Sequence, residues 1–112
     1  MKKTLIYLGC PYSDPDPLIR EQRFNAVNAY AARLMNDGKY VFSPISHGHP
    51  IALAGDLPND FAFWEGLCRE MMSHCGELRI LMLPGWQESV GVLAELLIAD
   101  ELGIPISYIS EK

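Results

Sequence analysis

The sequence has 112 residues, 49% hydrophobic and 21% charged, with a formal net charge of −5. That length suits a single domain, residues 1–112, large enough to bury a core without disulfide or metal staples. Nine scattered Lys and Arg residues form no basic stripe for a nucleic acid polymer, and no apolar run approaches the ~20 residues of a membrane span.

In chain order, the pattern alternates strands with helices. Met1-Lys2-Lys3-Thr4 leads directly into the apolar run Thr4–Leu8, with no signal-peptide core, so the chain is expected in the cytoplasm. That first strand stops at Gly9-Cys10-Pro11. Residues 18–35 place Phe24, Val27, Ala31 and Leu34 at helical spacing, and Asp37-Gly38 ends the helix. Lys39–Phe42 reads as a second strand. Ser43–Pro58, rich in Pro and Gly, reads as a long irregular loop of the kind that forms a lid. Asn59 or Asp60 can cap a helix reaching about Ser73, with Phe63, Leu67 and Met71 on one stripe. Leu78–Leu83 is a third strand, and Ser89 caps a helix carrying Val92, Leu96 and Ala99 up to Gly103. Ile106–Ile109 is the fourth strand.

Short apolar runs bounded by Gly and Pro mark strands covered on both faces. The expected fold is therefore α/β with a mostly parallel sheet of four to five strands, in a three-layer α/β/α arrangement joined by right-handed crossovers. Cys10, Cys68 and Cys75 are odd in number and lack metal-ligand spacing, so they read as reduced thiols, mostly buried. His47 and His49 alone do not make a metal site, which would need a further ligand. No Gly-rich phosphate loop or dinucleotide fingerprint follows Gly9.

Ligands of open parallel sheets bind beyond the carboxyl ends of the strands. Three segments reach that edge. Gly9–Asp16 brings Tyr12, Ser13 and Asp14, with Arg20 and Arg23 just inside the next helix. Ser43–Pro58 brings Ser43, Ser46, His47 and His49. Pro84–Gly91 brings Trp86, Glu88, Ser89 and Gly91. Backbone amides at Ser89 and Gly91 open a helix, a place suited to a phosphate or sugar. Glu95 follows one turn later in an apolar stretch, facing either water or the pocket mouth. Trp86, beside that helix start, is the better placed of the two tryptophans to stack a base.

The segments Tyr7–Ser13, Val41–Pro50 and Leu83–Glu95, in order along nearly the whole chain, resemble a bacterial and phage branch (DUF1937) of the nucleoside 2-deoxyribosyltransferase superfamily. The resemblance implies a flavodoxin-like fold. It also implies an N-glycosidic bond enzyme, an N-hydrolase or deoxyribosyltransferase, acting without a cofactor on a nucleoside, nucleoside monophosphate or related N-riboside. Glu95 would be the nucleophile and Tyr7 would orient it. Ser13 and Ser89, with Arg20 or Arg23, would hold a 5′-phosphate or hydroxyl; Ser43, His47, Trp86 and Gly91, from the strand-end loops, are the further substrate-binding candidates. The implied assembly is a homodimer or higher homo-oligomer. The sequence departs from the superfamily pattern where an Asp is expected a few residues after Trp64, since Cys68 stands there, and again before the third strand, at Gly76 and Glu77. The alternative is a nucleotide-binding module of the same fold with impaired catalysis.

Overall fold

In a computed structural model, which describes residues 2–111, the apolar run Leu5–Gly9 forms strand β1. It is followed by helix α1 (Pro17–Asn36), β2 (Tyr40–Phe42), α2 (Pro44–Gly55), α3 (Phe61–Met72), β3 (Glu77–Leu81), a short 3-10 turn at Trp86–Glu88, α4 (Val90–Leu102) and β4 (Ile106–Ile109). The four strands lie in the order β2-β1-β3-β4, all parallel. The fold is thus a three-layer, flavodoxin-like α/β/α sandwich, with the sheet at the lower end of the expected four to five strands.

Strand alternation builds the two core layers. Tyr7, Leu78 and Ile80 face Cys68, Met72, Val92, Ile98 and Ala99 of α3 and α4. Leu8 and Leu81 face the other way, onto Val27 of α1 and Ile45 of α2. Because β1 connects to β2 on one side and β3 to β4 on the other, the strand order reverses between β1 and β3. The carboxyl ends of those two strands therefore open a crevice, the usual ligand position in such sheets. Among the described residues, no helix is long and apolar enough to cross a membrane.

The segment Ser43–Pro58 corrects the expectation of an irregular loop, because most of it is helix α2. Ser43 caps it, its hydroxyl accepting from the Ser46 amide at 3.1 Å. Pro44 occupies the first turn, where its missing N–H costs nothing. Pro50 lies inside the helix, so one ladder hydrogen bond is absent there. Tertiary packing compensates: Ile45 and His49 are buried, and Gly48 lies so close to the Trp64 ring that a Cβ would sit 3.3 Å from it. Asp56 ends the helix with a left-handed φ of 54°.

Candidate functional site

The crevice holds a cavity of about 410 Å3. Its walls come from the loop after β1, from α2 and α3, and from the start of α4. Ser13 ties two of these segments across the mouth, donating to the Asn59 carbonyl at 2.8 Å. Trp64 closes the link between α2 and α3 by donating to the Pro58 carbonyl at 2.8 Å.

Glu95 lies on the inner stripe of α4 with Val92, Ile98 and Ala99 and is only 4% exposed. Of the two orientations open to it from sequence, it takes the pocket-facing one. Its Oε2 accepts a hydrogen bond from the Tyr7 hydroxyl at 2.8 Å. Tyr7 points at α4 because it occupies the α3/α4 face of β1. Gly9, two residues on, shares that face. A Cβ there would stand 2.6 Å from Glu95 Oε1, below any normal contact, so glycine makes room for the carboxylate at the strand tip. Burial is the main cause that raises the Glu95 carboxyl from its ordinary range to about 8, opposed by the Tyr7 hydrogen bond. The Tyr7 hydroxyl is pushed well above 10, first by burial and then by the Glu95 charge, so it remains a neutral donor. Cys68 lines the same cavity and neighbours the Tyr7 hydroxyl; burial lifts its thiol to about 11, so it stays protonated. Burial also holds the Cys10 thiol, on the opposite wall, above its ordinary range. All three cysteines are free and buried.

The remaining residues singled out in the sequence divide into two groups. Ser13, Glu88, Ser89 and Gly91 line the cavity with Glu95. Ser89 also caps α4, its hydroxyl accepting from the Val92 amide at 3.2 Å. The others stand just outside the walls. Arg23 donates to the Tyr12, Ser13 and Pro84 carbonyls at 3.3, 3.1 and 3.2 Å, stapling the loops after β1 and β3. Arg20 donates to the Asp14 carbonyl, Ser43 caps α2, and His47 packs near Phe42 with ring centroids 6.0 Å apart. Trp86 packs against Tyr108 with centroids 5.4 Å apart.

Tyr12 and His49, both expected at the ligand edge, line the cavity as well, and the structure joins them in one cluster. The imidazole is 5% exposed, stacks on Phe24 at 4.3 Å, shares a hydrogen bond with the Tyr12 hydroxyl through Nδ1, and lies 3.2 Å from Glu21 through Nε2. Its partners are 37 and 28 residues away in sequence, so no local pattern signals this cluster.

No curated protein matches the chain. A family model does, over residues 4–111, nearly its full length and including every cavity residue discussed above. The chain belongs to the family described as a domain of unknown function, DUF1937.

Proposed function

We propose that this protein is an N-glycosidic bond enzyme, a hydrolase or 2-deoxyribosyltransferase, acting on a nucleoside, a nucleoside monophosphate or a related N-riboside. The observation that carries the reading is the Glu95 carboxyl, buried at the cavity wall, held by the Tyr7 hydroxyl and given room by Gly9. Breaking a glycosidic C–N bond develops positive charge at the anomeric carbon, which a fixed carboxylate stabilises or captures. Glu95 in its ionised form would attack that carbon to give a glycosyl-enzyme, releasing the base. Water or a second base would then displace the carboxylate. The amides at the start of α4, beside Ser89 and Gly91, suit the 5′ oxygen or phosphate of the sugar.

The test is incubation with a panel of nucleosides and 2′-deoxynucleoside 5′-monophosphates, with free base as the readout. Base release that disappears in Glu95→Ala supports the reading. A panel left untouched at high enzyme concentration refutes it.

Cys68 favours a second reading, a nucleotide-binding module with impaired turnover. Its thiol, protonated at neutral pH, is a poor acid where the resemblance implies an aspartate. Turnover that appears only in Cys68→Asp would support that reading. We also place the protein in the cytoplasm as a homo-oligomer. Its three free thiols fit a reducing compartment. Val90 and Leu97, 74% and 66% exposed, flank half-exposed Leu93 on one face of α4, a stripe suited to a second copy. Sedimentation of the wild type against Leu97→Glu tests the assembly.

A further inference from the structure

Attack by Glu95 leaves one requirement unmet: the departing base needs a proton, and neither the Cys68 thiol nor the neutral Tyr7 hydroxyl, already bonded to Glu95, is suited to give it. We propose that Tyr12, backed by His49 and Glu21, delivers that proton; the proposal rests on the glycosidic reading above.

Tyr12 and His49 both line the cavity that Glu95 faces. Behind them the hydrogen bonds run outward, from the Tyr12 hydroxyl to His49 Nδ1 and from His49 Nε2 to Glu21 Oε1, 3.2 Å away. The imidazole is 5% exposed, whereas the Glu21 side chain is half exposed, so the chain of bonds links the cavity wall to bulk water. Phe24, stacked on the imidazole at 4.3 Å, fixes its plane. A carboxylate can only accept, so Nε2 carries hydrogen whether the ring is neutral or charged. Nδ1 is then the switching atom. In the neutral ring it accepts from the Tyr12 hydroxyl. In the imidazolium it donates to the Tyr12 oxygen and frees the Tyr12 O–H for the cavity.

The transfer balances from the charged state. As Glu95 bonds to the anomeric carbon, the C–N bonding pair passes to the base nitrogen. That nitrogen takes the Tyr12 proton, Tyr12 takes the Nδ1 proton, and His49 is left neutral, with Nδ1 accepting from Tyr12 again, until water admitted to the cavity returns a proton to Nδ1 through the Tyr12 hydroxyl. Burial raises the Tyr12 hydroxyl above its ordinary range, and the Arg20 charge acts against that rise. Two other acids on the cavity wall, Asp60 and Glu88, are exposed. In this scheme Tyr12 is the proton donor, while His49 and Glu21 are positioning residues.

The decisive comparison uses two substrates with the same sugar: 2′-deoxyadenosine 5′-monophosphate and p-nitrophenyl 2-deoxyriboside 5-phosphate. The second has a leaving group that departs without a proton. Tyr12→Phe should lose on the order of 100-fold in kcat on the nucleotide and stay within a few-fold of wild type on the nitrophenyl compound. Glu21→Gln, at a half-exposed position that leaves the fold intact, should give the same split in weaker form. Glu95→Gln should lose both activities. If Tyr12→Phe loses both equally or neither, the relay is refuted while the Glu95 reading stands. A wild type inert on both compounds and on the whole panel above refutes the glycosidic reading and the relay with it.

Discussion

Glu95→Gln offers a test of the buried carboxyl that needs no substrate. Gln keeps the size of the side chain and an oxygen for the Tyr7 hydroxyl, but it cannot ionise. In the native protein the carboxyl is raised from 4.5 to about 8, so between those values the folded state holds a proton that the unfolded chain has released. Stability must therefore fall as pH rises through this window. For a group this deeply buried, the loss between pH 5 and pH 8 is about 3 kcal/mol, a large share of the stability of a small domain. Urea unfolding of wild type and Glu95→Gln at half-unit pH steps isolates the effect, because other titrating groups cancel in the difference. The variant should gain on the wild type by about 3 kcal/mol over that range. A flat difference curve would show that the carboxyl is not held protonated by burial, and a curve of opposite slope would show it to be stabilised as the anion.

The same proton governs the activity proposed above. On the nitrophenyl compound, whose leaving group needs no proton donor, kcat/KM should rise about tenfold per pH unit and level off near pH 8, because only the ionised carboxylate attacks. Gly9→Ala places a Cβ 2.6 Å from the Glu95 carboxylate. A displacement of about 1 Å should lower base release on the order of 100-fold, read by steady-state kinetics on protein that still melts cooperatively. Arg23→Met keeps the aliphatic stem but removes three hydrogen bonds to loop carbonyls. It should cost about 1–2 kcal/mol in urea unfolding and raise KM more than it lowers kcat.

The sheet was legible because its strands are covered on both faces. Continuous apolar runs ending at Gly9-Cys10-Pro11 and Pro84-Gly85 can be little else. The inward face of α4 was legible in part, since Val92 and Ala99 mark the stripe, but spacing alone left Glu95 between water and pocket. Its environment is decided by Tyr7, 88 residues away. Helix α2 was hidden by Pro44, Gly48 and Pro50, each a breaker when read singly. The usable signal was Ser43-Pro44, a capping residue followed by a proline at the first helical position, which starts a helix rather than prevents one. Gly48 then proves to be a contact point for the Trp64 ring, a role that only tertiary packing reveals. His49 belongs to the same class: its neighbours Tyr12 and Glu21 come from a different loop and a different helix.

The reversal of strand order between β1 and β3 gives these residues a common logic. On one side of the sheet, Tyr7 and Gly9 set the Glu95 carboxylate among the groups packed by α3 and α4. On the other, the chain leaving β1 turns toward α1 and α2 and brings Tyr12 against His49. One strand therefore serves both sides of the cavity, with Tyr7 and Gly9 positioning Glu95 on one face and the loop that follows, through Cys10 and Tyr12, lining the other. A carboxylate that attacks and a hydroxyl that protonates must meet the scissile bond from different sides. A strand at the switch point is the element of this fold that can hold both at once, because residues seven and twelve are separated by the edge of the sheet itself.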